Sequence, residues 1–241
     1  MAEKISLLWS EIEGQFHSTF IKDDRYLQFI KGFEVTLLIA FCAAVIGIAI
    51  GVLVAIIKVY CDQTKRFKVL NIFLNAYLTV TRGTPIVTQL LIMYYIIFAS
   101  LNFNPVLVSI ITFGVNSGAY VAEIVRAGIM AVDVGQMEAG RSLGLSAAKT
   151  MRIIILPQAV KNILPALGNE FISLLKETSV VGYVSVIDLT RAGNLVRSKT
   201  YQPFFSLISA AVVYLLIVTL FTGILKRVER RLRKSDRNKE S

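Results

Sequence analysis

Residues 83–122 form a run of 40 positions without one charged side chain, and no other feature limits the fold as tightly. Two further runs, 35–57 and 203–225, are also free of charge. A helix that crosses a bilayer needs about 20 apolar residues in succession, because the hydrocarbon core is about 30 Å thick. A water-soluble core does not need uncharged stretches of this length. Composition agrees, since 55% of the 241 residues are hydrophobic and the mean hydropathy is +0.64. The chain reads as an integral membrane protein.

A 40-residue helix would be about 60 Å long at 1.5 Å per residue, so the run 83–122 cannot be a single span. Asn102-Phe103-Asn104-Pro105 is a turn signal in its middle and makes the run a helical hairpin. The first arm is expected to begin near Leu70 and to bend at Arg82-Gly83-Thr84-Pro85; the second runs from Pro105 to about Met130. The first span is 35–57, where Gly47 and Gly51 stand four apart, either to admit a close helix neighbour or as ordinary glycines of a membrane helix. A fourth span, 163–187, is apolar apart from Asn169, Glu170, Lys176 and Glu177. The fifth is 203–225. The expected architecture is all-α with five transmembrane helices. It comprises an amphipathic segment 1–32, a transmembrane domain 33–226 with a loop at 131–160, and a basic tail 227–241.

Lysine and arginine orient the spans, because cytoplasmic loops carry the excess of both. One side, made of 58–82, 123–162 and 226–241, holds 18 of them, and the other holds 7. The N-terminus is therefore expected outside and the loop 131–160 in the cytoplasm. Residues 1–32 mix Trp9, Phe16, Phe20, Phe29 and Ile30 with charges of both signs. That mixture suits a helix lying in the membrane interface rather than a cleaved leader. The tail is dense in Arg and Lys, and each near-surface charge gains about 1 kcal/mol from anionic lipid. Membrane lipid, not nucleic acid, is its expected partner. His17 has no second ligand at metal-binding spacing, and Cys42 and Cys61 read as reduced.

No Gly-x4-Gly-Lys-Ser/Thr phosphate loop occurs, nor any nucleophile–base pairing, so the chain is not expected to act as an enzyme or to bind a cofactor of its own. Its chemistry should lie in charges placed where they are costly. A charge at the bilayer centre costs about 2.5–3.5 kcal/mol on insertion scales, and such residues usually face a cavity or a partner. Lys176 and Glu177 fall near the middle of the expected fourth span and point about 100° apart, so they cannot pair face to face. Lys176, Glu177 and Thr178 are expected to line or brace a route, with Asn116, Tyr120 and Glu123 opposite. The competing structural reading is an ion pair between Lys176 and Glu123. Arg82, Gly83 and Pro85 mark a kink or hinge. Asn169 and Glu170 are expected near the cytoplasmic end of the fourth span.

The loop after the third span reads Glu138-Ala139-Gly140-Arg141-Ser142-Leu143-Gly144-Leu145 and continues to Ile154-Ile155-Leu156-Pro157. Glu138 to Ser142 suits a short helix, Gly144 a tight turn, and Ser146 the cap of a following helix. Leu143 and Leu145 would then stand exposed on a charged knob, which points to a protein contact.

This spacing resembles the EAA signature of permease subunits of bacterial ABC importers: Glu-Ala-Ala, three residues, Gly, nine residues, Ile-x-Leu-Pro. Gly140 replaces the second alanine, at a cost to the short helix of about 1 kcal/mol. Arg82-Gly83-Thr84-Pro85, the stretch Asn116 to Ile129, and Leu175-Lys176-Glu177-Thr178-Ser179 resemble the polar amino acid group within that family. The resemblance implies a type I importer (MetI-like) fold. It implies a second permease subunit, two cytoplasmic ATPase subunits that use the ATP, and an extracytoplasmic amino-acid-binding protein. It assigns Glu138, Ala139, Gly140, Leu143 and Gly144 to a coupling helix seated on the ATPase. The alternative is an ion-driven secondary transporter or channel, which explains the mid-membrane charges but not this loop.

Overall fold

The computed structural model describes residues 2–65 and 67–240, with the side chains of 2, 3, 5, 8, 63, 64 and 233–240 outside the description. The described chain is all-helical. Its elements are α1 (Ala2–Phe16), α2 (Tyr26–Thr64), α3 (Lys68–Gly83), α4 (Ile86–Ile92), α5 (Pro105–Met130), α6 (Val134–Ser142), α7 (Ala147–Thr150), α8 (Leu156–Glu177), α9 (Leu189–Thr200) and α10 (Pro203–Glu240). A wide π-type turn carries α4 on through Met93–Ile97, another joins α7 to α8, and a tight 3-10 stretch, Thr178–Val184, follows α8.

Side chains set where the helices begin. The Asn104 carboxamide accepts from Val106 N at 2.8 Å with Pro105 at the first helical position, so the turn signal opens α5. Asp133 caps α6, Ser146 caps α7 and Asp188 caps α9 in the same way. Among the described residues three helices are long and apolar enough to cross a membrane: Tyr26–Asp62, Pro105–Met130 and Pro203–Leu232. The expected first arm of the hairpin is split where α3 ends and Thr84 and Pro85 turn extended.

Helix α5 is the central column. Of its spanning window 61% is buried within the chain, against 11% for α10, whose apolar surface needs lipid or another chain to cover it. The seam between α2 and α5 is closed by small residues on both sides. A Cβ on Gly47 would lie 2.8 Å from Ser117, and one on Gly114 would lie 2.7 Å from Ile46. The spacing of Gly47 and Gly51 thus serves backbone approach, as small-residue seams do where lipid removes the hydrophobic drive between helices.

Four apolar clusters sit along this column. Ile39, Leu90, Phe113 and Leu174 pack near the N-terminal end of α2, and Ala55, Val125, Ile155 and Ile163 near its C-terminal end. Phe29, Leu189, Val196 and Ala210 hold α9 against α2 and α10, while Val54, Leu78 and Ala119 dock α3. The short helices α6 and α9 therefore sit at opposite ends of the bundle.

The fourth span needs correction. Helix α8 covers Leu156–Glu177 rather than 163–187, a length of about 33 Å, and the chain then tightens into the 3-10 stretch. Lys176 and Glu177 are in its last turn, not at its middle, and Lys176 is exposed. The apolar residues 178–187, which lengthened the span on paper, instead return across the bundle end, with Val181 and Val184 fully buried. Helix α10 likewise runs unbroken through residue 226 into the basic tail.

Candidate functional site

The knob at α6 and α7 is built from three local choices. Helix α6 ends in a paired closure: Gly144 N donates to Arg141 O at 3.0 Å and Leu145 N to Gly140 O at 3.2 Å. That closure puts Gly144 at φ +84°, a left-handed conformation that side chains resist. Gly140 is buried, and a Cβ there would lie 2.5 Å from the Thr150 methyl and 3.1 Å from Ile154. The glycine that departs from the signature is thus what lets α6 lie directly on α7. Glu138 and Ala139 face out, and Leu143 is 81% exposed. Leu145, expected beside it at the surface, is half-buried.

A second polar group forms at the break between α3 and α4. Ending α3 at Gly83 leaves carbonyls without helix partners. The Gln89 amide donates to Thr81 O at 2.7 Å, Thr84 O at 3.1 Å and the Thr84 hydroxyl at 2.8 Å. Buried Asn116 on α5 donates to the Gln89 side-chain oxygen at 3.1 Å. The kink expected at Arg82, Gly83 and Pro85 is present, and Gln89 is what satisfies it; Gln89 carries no signal in the sequence that would single it out.

Glu123 takes part in a third group. It pairs with Arg126 one turn away and lies 3.9 Å from Arg82, whose guanidinium sits 5.5 Å from the centre of the Tyr120 ring. None of these residues reaches Lys176. Helices α5 and α8 run antiparallel, and Ser117 Oγ, at the middle of α5, donates to Glu170 Oε1, two-thirds of the way along α8, at 2.8 Å. Glu123 lies six residues beyond Ser117 toward one end, and Lys176 six beyond Glu170 toward the other. At 1.5 Å per residue the two stand roughly 18 Å apart along the axis. Among the described residues the expected Lys176–Glu123 ion pair is absent; Asn116 is bonded to Gln89 and Tyr120 packs against Arg82 instead.

The carboxylate that meets the middle of α5 is Glu170 instead, expected near the cytoplasmic end of a span. With Ser117 it lies at the wall of an open cleft of about 610 Å³ whose other lining includes Phe41, Val45, Val121 and Phe171. A carboxylate in so apolar a wall is costly to hold unless something polar meets it. Thr178 is spent locally, its hydroxyl donating to Leu175 O at 2.8 Å.

Comparison with known proteins decides the family. The profile of the family described as the binding-protein-dependent transport system inner membrane component matches residues 47–234. The chain belongs to this family. Among its relatives is the putative glutamine transport system permease protein GlnP of Rickettsia typhi. The two are 40% identical over 212 residues, covering 86% of this chain and 94% of that one. The arginine transport system permease protein ArtQ of Bacillus subtilis is 37% identical over 209 residues, covering 86% and 93%. A crystal structure of an amino acid ABC transporter with histidines superposes with a TM-score of 0.79 at 41% identity, covering 86% and 94%. The MetNI methionine ABC transporter, at 19% identity and a TM-score of 0.75, shares the fold. As an inner membrane component of such a system, the chain is a permease subunit whose nucleotide chemistry is done by a separate ATPase.

Proposed function

We propose that this chain is the membrane-spanning subunit of an ATP-driven importer of polar amino acids. It crosses the bilayer five times with its N-terminus outside, α3 and α4 together making the second crossing and α8 the fourth. It works with a second permease subunit, two ATPase subunits and an extracytoplasmic binding protein. The substrate class follows the names of the relatives. The observation that carries the reading is the knob: a capped pair of short helices, closed at Gly144 and packed through Gly140, that holds Leu143 out to solvent at a charged end of the bundle. An isolated leucine held this way is suited to seat in a groove on a partner.

The proposed route passes the Glu170–Ser117 cleft and the Asn116–Gln89 pair, with the Arg82–Tyr120–Glu123–Arg126 group toward the cytoplasmic end. Lys176, Glu177 and Thr178 sit at the extracytoplasmic end of α8, where they brace the mouth rather than the middle. Co-purification tests the coupling assignment. Wild-type permease should carry the ATPase through detergent purification. Leu143→Asp should lose it, since burying a leucine contributes about 1.5–3 kcal/mol. An ATPase that stays bound to Leu143→Asp at wild-type stoichiometry would sink the assignment.

A further inference from the structure

Helix α9 lies at the end of the bundle opposite the knob, and its surface breaks the charge rule of the rest of the chain. Leu189–Thr200 carries Arg191, Arg197 and Lys199 and no acidic residue. Basic residues are disfavoured on translocated loops. Elsewhere on this side residues 1–34 hold six acidic side chains against four basic. The three cations of α9 are therefore concentrated where the chain otherwise avoids them.

They are also held out and free of ion pairs, Arg197 donating to the Asn194 side chain at 3.3 Å. Leu189, Ala192, Gly193 and Val196 are buried at helical spacing against α2 and α10, so Arg191, Arg197 and Lys199 project from the other face, all exposed. Among the described residues no ion pair reaches any of the three. Asp188, next in sequence, is fully buried and turned inward. It accepts from Thr190 N at 2.9 Å, Arg191 N at 3.0 Å and the Tyr214 hydroxyl at 3.3 Å. Thr36 of α2 accepts from Leu189 N at 3.2 Å, and Gly193 lies so close to Ser206 that a Cβ would come within 2.9 Å of its carbonyl. The cations thus stand on a helix pinned to two spans, which preorganises them.

The surroundings suit a protein rather than water alone. Between α9 and the 3-10 stretch lies a groove of about 730 Å³, lined by Ser179, Tyr183, Arg191, Asn194, Arg197 and Ser198. Tyr183 at one edge is 65% exposed, and Tyr201 at the end of α9 is 89% exposed, held at φ +56°. Exposed Tyr and Arg around a concave centre are the residue types enriched at protein interfaces. The family is defined by its dependence on a binding protein, which must approach from this side.

We propose that the outward face of α9, through Arg191, Arg197 and Lys199 with Tyr183 and Tyr201 at its rim, docks an acidic surface of the solute-binding protein. This rests on the importer reading above and names the contact on which it depends. Complementary charge of this kind governs encounter and falls off with ionic strength, since screening sets in within about 10 Å at 0.1 M salt.

The test is ATP hydrolysis by the reconstituted complex, titrated with the amino-acid-loaded binding protein of the same system at two ionic strengths. Reversal to Arg191→Glu/Arg197→Glu/Lys199→Glu should raise the half-saturating concentration of binding protein by roughly ten-fold or more and flatten its salt dependence. Lys31→Glu, an exposed cation on the same side, should leave both at wild type. Wild-type half-saturation in the triple variant would overturn the proposal. So would a lower maximal rate at unchanged half-saturation, which would place the arginines on the substrate's path, or loss of permease pairing, which would make the face a contact between copies. A wild-type complex that binding protein does not stimulate at all would refute the importer reading itself, whatever α9 does.

Discussion

Gly140 and Thr150 meet where α6 rests on α7, and this contact decides whether Leu143 is presented at a fixed height. Replacing Gly140 with alanine gains about 1 kcal/mol of helix propensity but drives a methyl into Thr150. Gly140→Ala is expected to lower uptake per ATP hydrolysed, and Gly140→Ala/Thr150→Ala to restore much of it. A double-mutant cycle with no coupling would show that the contact does not matter. Gly144 is bound more tightly to its conformation, because a branched side chain at φ +84° costs about 1–3 kcal/mol. Gly144→Val should leave the permease in the membrane but uncouple hydrolysis from uptake. At Glu170, glutamine keeps an oxygen for the Ser117 hydroxyl while removing the charge. Glu170→Gln should purify as wild type yet import more slowly, and unchanged import kinetics would take Glu170 off the route.

Between residues and the whole lie the broken element α3–α4 and the helices that flank it. The break survives in a bundle interior because side chains answer the carbonyls that Gly83 and Pro85 release: Gln89 donates to those of Thr81 and Thr84, Asn116 also to Thr81 and the Thr84 hydroxyl to Val80. Gln89→Leu removes four hydrogen bonds, three that Gln89 donates and one that it accepts from Asn116, and leaves Asn116 facing an apolar group. It should lower stability by about 1–3 kcal/mol, seen as a reduced melting temperature of the detergent-purified protein, and an unshifted melt would deny Gln89 that part. The hairpin turn, the kink, the bounds of α5 and the capped loop were legible because each depends on a few neighbouring residues: Asn104, Pro105, Gly83, Gly144, Ser146. The end of α8 was not. Residues 178–187 are as apolar as a span, and only their packing under α4 and α9, a long-range matter, turns them into a tight return. That error moved Lys176 from the last turn of α8 to the middle of a span and put Glu170 near the wrong end. The roles of Ser117 and Gln89 have no trace in the sequence, because a lone hydroxyl or amide in an apolar run carries no periodic mark.

As a whole the molecule is a central column, α5, wrapped by α2, α3 and α8, with a knob at one end and a basic helix at the other. The uncharged runs and the distribution of Arg and Lys anticipate that plan, and family membership supplies what they could not, the separate ATPase and binding protein. The proposed orientation has its own check. In a background with Cys42 and Cys61 replaced, Ser198→Cys should react with an impermeant thiol reagent from outside intact cells, and Ser146→Cys only after the inner membrane is opened. Labelling in the opposite sense would invert the topology. The central claim, that this permease converts ATP hydrolysis into amino acid entry, is tested most directly by uptake into vesicles holding the permease and its ATPase. Labelled glutamine or arginine should accumulate only when ATP is inside and loaded binding protein outside. Accumulation that needs neither and follows an imposed proton or sodium gradient would contradict it.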